Sequence, residues 1–390
     1  MQSPYIGDRG ASAFARALLR PRPSGDGVER PGAHWMEHLE FHSNSITDDG
    51  AVALAEAMGH PMSRIRKLGL TSSSIGPRGA AALVRAVTSR HATQRCNTWD
   101  AVSASDHGGD TDTTACTAGV NLALTWSMAL EDAGAVAIAS ELGNAWQHHW
   151  GDTHASATVD VDAASEHVTA RPTAPGSVSL PPDTAAGAQA ALLDLAASLH
   201  RPPFSSLGLS GCRIGAGGAA ALGEAAAVAT RGLDLGVNEL GADGVVALAN
   251  SIERMHQRVQ VRVEQLCAAM AGGDADAEAG GAGNATVAPC AGSERESECV
   301  AALQRVVAAC PGLRLHSHTL GGADVVHDAA GVSSSHGQPG ADQRALVLLP
   351  LQRLWLRGVG VVGAVGRRAL AHMTSVTGVE VNGVPAEDWV

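Results

Sequence analysis

A single lysine, Lys67, occurs in 390 residues. A phosphate-binding loop of the GxxxxGK kind needs a lysine to reach the outer phosphates, so no such loop can be written here. Cations as a class are short, 27 Lys and Arg against 39 Asp and Glu, for a formal charge of −12. Nucleic acids and anionic membranes need clustered Lys and Arg, so neither is an expected ligand, and basic or mixed-charge protein surfaces suit this chain better. The seven cysteines are odd in number and scattered, which does not describe a disulfide framework. Met1 to Ala17 holds no apolar run of signal length, and no stretch approaches 18 uninterrupted apolar residues. The expected setting is therefore soluble, reducing and cytoplasmic, where the acceptor pattern Asn284-Ala285-Thr286 would go unglycosylated. Neither GxSxG nor HExxH occurs. No catalytic, cofactor or metal residue is assigned, and the chain is expected not to be an enzyme.

What is present is one phrase written repeatedly. Leu39 with Phe41, Asn44, Ile46 and Gly50-Ala51 is matched by Leu68 with Leu70, Ile75 and Gly79-Ala80. It returns as Leu207 with Leu209, Cys212, Ile214 and Gly218-Ala219, and as Leu233 with Leu235, Asn238, Leu240 and Gly244. Eleven positions separate the first leucine from the glycine in all four copies. The leucines alternate as period 2 demands of a short strand with one buried face. After the glycine, apolar residues recur at i and i+4, as in Gly50, Leu54 and Met58, and share one helical face. Each copy therefore predicts strand, tight loop, helix. The carboxamides of Asn44 and Asn238 suit the loop, whose backbone amides would otherwise be buried without partners; Cys212 stands in the same place.

With Asn or Cys at that position, the phrase resembles the ribonuclease-inhibitor-like class of leucine-rich repeats, as in ribonuclease inhibitor, Ran GTPase-activating proteins and the repeat regions of NOD-like receptors. The resemblance implies an α/β solenoid of horseshoe form, with parallel strands on the concave face and helices on the convex one. It also implies a protein-binding surface in place of a catalytic pocket.

Carried onward, the frame fits Leu122 and Leu124 with one residue inserted before Gly134. It also fits Val261-Arg262-Val263 with Gly272, Leu313 and Leu315 with His318, and Leu351, Leu354 and Leu356 leading to a helix near Gly363 to Met373. Val376, Val379 and Val381 are read as a closing strand, and Val178 and Leu180 as leading into a helix around Ala188 to Leu199. Ile6 and Gly10-Ala11 keep the spacing of Ile46 and Gly50-Ala51, so the chain opens in mid-phrase, and either Ile6 to Leu19 is a helical cap or the chain is the truncated part of something longer. The whole of 1–390 is expected to be one solenoid domain. Stretches 21–32, 88–118, 143–176, 273–297 and 321–340 are rich in small and polar residues and are expected to be disordered inserts.

Several smaller patterns need assigning. Gly358-Val359-Gly360-Val361-Val362-Gly363 spells GxGxxG between a strand and a helix, with Glu380 on the next strand, but it also fits the loop of a repeat, which is the reading adopted. His38, Glu40 and His42 alternate on one strand and project together, either as a partial metal site or as a solvated polar face. His148, His149 and His154 are read as incidental histidines of an insert. Cys299 and Cys310, eleven residues apart on one expected helix, stand too far apart for a disulfide.

Residues between and just after the strand leucines point toward the concave side. They are small in the middle repeats, at Gly69, Thr71, Ala123, Gly208, Ser210 and Gly236. Farther along they become Asp234, Arg262, Glu264, Arg314, His316, Trp355 and Arg357. Trp and Arg dominate interface hot spots, so Trp355 with Arg357 and Arg314 is the expected anchor for a protein partner, although the same residues would equally serve as a solvated mixed-charge face. The expected function is a non-catalytic binding scaffold or adaptor. A GTPase-activating regulator of a small GTPase, or a structural part of a cytoskeletal or ciliary assembly, are the alternatives.

Overall fold

A computed structural model describes residues 6–23, 29–31, 35–104, 119–150, 185–272, 315–319, 325–327, 343–347 and 349–384. In chain order the elements are α1 (Asp8–Leu19), β1 (Pro21–Pro23), β2 (Glu29–Pro31), β3 (His38–Glu40), α2 (Asp48–Gly59), β4 (Lys67–Gly69), α3 (Pro77–Ala104), β5 (Val120–Ala123) and α4 (Glu131–Trp150). They continue as α5 (Ala185–His200), β6 (Phe204–Gly208), α6 (Ala216–Ala229), β7 (Gly232–Asp234), α7 (Gly241–Gly272), β8 (Leu315–Thr319), β9 (Val325–His327), β10 (Gln343–Val347), β11 (Arg353–Trp355), α8 (Gly363–Thr377) and β12 (Glu380–Asn382).

The repeats build one parallel sheet of seven strands, in the order β12-β11-β7-β6-β5-β4-β3. Leu39, Leu68, Leu122, Leu207, Leu233, Leu354 and Val381 stand in register from edge to edge. The six leucines are at most 4% exposed. Burying each contributes about 1.5–3 kcal/mol, so this row is the spine of the fold. A second row, Phe41, Leu70, Leu124, Leu209, Leu235 and Leu356, is buried beside it. The ladder runs on past the strands, with Leu70 N–H donating to Ala123 C=O at 2.8 Å and Leu235 N–H to Trp355 C=O at 2.9 Å.

The fourth residue after each strand leucine turns the chain out of the sheet. In six successive rungs it is left-handed: Ser43, Ser72, Trp126, Gly211, Val237 and Gly358 have φ between 53° and 71°. Only two of the six are glycine, the residue that takes this conformation without steric cost.

Asn238 does in the loop what its carboxamide suggested. Its Oδ1 accepts from the N–H groups of Cys212 at 2.9 Å and Ile214 at 3.1 Å, and its Nδ2 donates to the carbonyls of Leu209, Leu235 and Gly236. Cys212, buried, sends its thiol to the Leu124 carbonyl at 3.0 Å. Asn44 accepts from Ile6 N–H at 2.8 Å.

Adjacent repeats are also clipped by carboxylates. Asp48 Oδ1 accepts from Gly76 and Gly79 N–H at 2.7 and 2.9 Å. Asp132 does the same for Gly215 and Gly218 at 2.6 and 3.0 Å, and Asp8 for Thr47 and Gly50 at 2.7 and 3.0 Å. These N–H groups open a helix and have no partner within it, so the helix of the neighbouring rung (α1, α2 or α4) supplies the cap. The recurring glycine makes room for the clip: a Cβ at Gly79 would lie 2.7 Å from Asp48 Oδ1, and one at Gly218 2.6 Å from Asp132 Oδ1.

Packing groups the chain into two compact units: residues 1–145, 198–258 and 347–390 form the first, and 146–197 with 259–346 the second. The seven-stranded sheet lies wholly in the first. The second holds β8 and β9, paired antiparallel, in a three-stranded sheet of order β10-β8-β9.

Two expected rungs are therefore absent from the long sheet. Val261-Arg262-Val263 is no strand, because α7 runs unbroken to Gly272. Its buried residues Ile252, Met255, Val259, Val263, Leu266 and Cys267 recur at helical spacing, and no glycine or proline stops it earlier. Leu315 supplies no rung either: it belongs to β8, and β7 bonds directly to β11. Val376 lies within α8, while Val381 is in β12. Helices also occupy positions read as inserts, with α3 continuing through 88–104 and α4 through 143–150. β1 pairs with β2 across 21–31, and β9 lies within 321–340. Val178, Leu180, Cys299, Cys310 and all of 273–297 lie outside the described residues.

Candidate functional site

The side of the sheet opposite the leucine rows carries two registered lines of side chains. One passes through His38, Lys67 and Asn121, and the other through Glu40, Gly69, Ala123, Gly208, Asp234, Trp355 and Asn382. The second line changes character along its length. A carboxylate opens it, three small residues form its middle, and an acid, an indole and an amide close it.

At the β3 edge, Glu40 pairs with Lys67 Nζ and stands 3.0 Å from His42 Nε2. Hydrogen bonds from Lys67 and then His42 hold its carboxyl at about 2. Glu40 is thus engaged by a cation and an imidazole. Among the described residues no three His, Cys, Asp or Glu side chains stand close enough together to hold a metal. In the middle, Thr125 donates its hydroxyl to that of Thr71 at 3.1 Å, tying two rungs side by side.

At the other end Trp355 is half-buried and lies against Gly232, where a Cβ would stand 2.8 Å from indole Cζ3. Asp234, its neighbour in register, accepts from Gly236 N–H at 2.9 Å. Arg357 is exposed two residues beyond Trp355, and Arg353 faces Glu380 at 3.9 Å.

Of the seven residues expected to line this face, the fold brings together Asp234, Trp355 and Arg357. Arg262 and Glu264 do not belong to it. They sit on α7, where Glu264 accepts from Gln260 one turn away at 3.1 Å. On the helix the alternation that suggested a strand is split, with Val261 50% exposed and Val263 buried. His316 lies on β8 in the three-stranded sheet, and Arg314 is outside the described residues.

The glycines at 358, 360 and 363 are accounted for as backbone. Gly358 occupies the left-handed turn position of its rung, and Gly363 opens α8 with φ 64°. His149 is no insert residue: it is buried on α4, its ring 4.8 Å from that of Trp146 and its Nδ1 3.5 Å from Asp194. His148 is likewise on α4, and His154 is outside the described residues.

Sequence reasoning missed Trp126. It occupies the left-handed position of its rung at 48% exposure, against Gly211, where a Cβ would stand 2.6 Å from its ring. Val237, 45% exposed, holds the same position two rungs on. The signal available was the offset of four from the strand leucine, which marks side chains thrown out at the strand-to-helix edge.

No helix among the described residues is long and apolar enough to cross a membrane. Residues 32–55, spanning β3 and the first part of α2, match the family described as Leucine Rich repeat. No curated protein matches the chain.

Proposed function

We propose that this leucine-rich repeat protein is a cytoplasmic, non-catalytic binding scaffold of the ribonuclease-inhibitor-like kind, whose seven-stranded sheet curves as a horseshoe and presents its open side to a protein partner. The observation that carries this reading is the grouping of Trp355, Asp234 and Arg357 on adjoining rungs beside a floor of small side chains. A half-exposed indole backed by glycine offers a broad apolar surface, and the guanidinium beside it offers directional donors. Anchors of this composition dominate protein interfaces. The small residues at Gly69, Ala123 and Gly208 leave clearance for a partner to approach the backbone.

The test is crosslinking mass spectrometry in native extract with the natural chain and a Trp355→Ala/Arg357→Ala variant. Crosslinks to one partner through this face, lost in the variant while its circular dichroism is unchanged, support the reading. A partner retained at undiminished yield places binding elsewhere. A GTP-hydrolysis assay across small GTPases runs beside it, and stimulated turnover would replace the scaffold reading with a regulatory one.

A further inference from the structure

Helix α1 and the residue that caps its C-terminal end, Arg20, carry three arginines that no carboxylate among the described residues answers. Arg9, Arg16 and Arg20 are all exposed, and none makes an ion pair among the described residues. With Ala13 they fall at i, i+4, i+7 and i+11, which is one face of the helix. The buried face is the other one, Ala11, Ala15 and Leu18, with Phe14 edge-on to Phe41 at 5.6 Å. Asp8, the acid in the first turn, is already committed to Thr47 and Gly50.

Several helical cations elsewhere are answered across the gap to a neighbouring helix. Arg78 on α3 pairs with Asp49 on α2, and Arg85 on α3 with Glu141 on α4 at 3.0 Å. Arg254 and Arg258 on α7 share Glu224 on α6 at 3.0 and 3.2 Å, and His372 on α8 meets Glu253 on α7 at 2.9 Å. The outer face of α1 thus has the donor half of a recurring helix-to-helix arrangement. A hollow of about 580 Å³ lies at its C-terminal half, lined by Ala13, Arg16, Ala17, Leu19, Arg20 and Pro21.

We infer that this face docks an acidic peptide segment of a partner protein, with carboxylates spaced to meet Arg16 and Arg20 about 6 Å apart and Arg9 about 10 Å farther along. Charge selects this occupant. A second copy would bring α8, whose exposed Arg368 offers positive charge to positive charge. An anionic membrane or a nucleic acid spreads its charge well beyond the arginine face and so meets the rest of a chain of formal charge −12, whereas a short acidic peptide stays on the face itself, within about a Debye length of the arginines. The arginine forks match carboxylates in geometry as well as sign. This surface is separate from the sheet face proposed above and stands or falls without it.

The experiment is fluorescence anisotropy on the full chain with a short labelled Ala/Glu peptide bearing glutamates at i, i+4, i+7 and i+11, and a Gln-for-Glu control. The inference expects binding of the acidic peptide alone, weakening as salt is raised, and a loss of at least about tenfold in Arg16→Glu/Arg20→Glu. Arg16→Gln/Arg20→Gln, which keeps side-chain size and adds no repulsion, should show the same loss with an unchanged melting curve. Equal binding of both peptides, or undiminished binding by the two variants, overturns the inference. So does arginine-dependent capture of phosphatidylserine vesicles or single-stranded DNA in place of the peptide.

Discussion

Trp355 rests on Gly232, and the absence of a side chain at 232 is what lets the indole lie there. A Cβ built on Gly232 would meet Cζ3 at 2.8 Å and Cη2 at 3.1 Å. The obstructed atoms are the far end of a flexible side chain, so Gly232→Ala is expected to turn the indole aside while costing less than about 1 kcal/mol in stability. If the sheet face binds as proposed, Gly232→Ala should reduce partner capture nearly as much as Trp355→Ala. Capture assays beside urea denaturation check this, and full capture by Gly232→Ala would show that the seat of the ring is immaterial.

The carboxylate clips predict both a magnitude and a pH dependence. Asp48→Ala strips the N–H groups of Gly76 and Gly79 of their acceptor and should cost about 1–3 kcal/mol by chemical denaturation. For Asp8, burial pushes its carboxyl up, but hydrogen bonds from Thr47 and Gly50 outweigh this and hold it below the ordinary aspartate value. A depressed carboxyl contributes stability above its unfolded value, near 3.9, and that contribution is lost as pH falls through the folded one. Asp8→Asn should therefore flatten the stability profile below about pH 4, and an unchanged profile would count against the clip.

Asn238 makes five hydrogen bonds in a buried loop, so Asn238→Ala should cost about 3 kcal/mol or more. The same variant should expose Cys212. Burial pushes that thiol up to about 11, and it should be silent to a disulfide reagent at pH 8 in the natural chain. Mass spectrometry of the labelled cysteine follows it directly, and rapid native labelling of Cys212 would contradict the packing described.

His256 is buried on α7 with both ring nitrogens lacking a hydrogen-bond partner, and burial lowers its affinity for a proton although Glu253 opposes this. A histidine depressed in the fold contributes stability above its unfolded value, near 6.5, and this is lost as pH falls below it. Denaturation midpoints should thus decline from pH 7 to 5, at no more than about 1.4 kcal/mol per pH unit from this group. His256→Leu should remove that part of the slope. A slope identical in both proteins would exclude His256 as its source.

The rungs were legible wherever the information was local. Leu39, Leu68, Leu207 and Leu233 keep one distance to their glycine, and the strand, turn and helix between them follow from periods of two and near four. Pairing is a different matter. Val261 and Val263 alternate as well as any strand, yet helical spacing through Ile252, Val259 and Leu266 prevails because an unbroken helix satisfies its own backbone without seeking an edge. Leu315 does form a strand, but its partner is β9, which no spacing within the phrase could disclose. At the proposed binding face, Asp234 and Trp355 were foreseeable as outward positions of neighbouring rungs. Trp126 was not, because its direction depends on a positive φ that indole does not advertise. The clips were written in the chain all along: Asp8, Asp48 and Asp132 each stand two residues before the glycine of their phrase.

The direct bond between β7 and β11 has a bearing on how such a chain could be altered. Asp234 and Arg353 belong to touching rungs although well over a hundred residues of chain pass between them. The entropy of closing a loop grows only with the logarithm of its length, by about 0.6 kcal/mol for each doubling, so the ladder is nearly indifferent to how much is spliced in at this point. Lengthening, shortening or exchanging that excursion is therefore open to change, while a single residue added within a strand would turn the side chains after it in that strand away from the core.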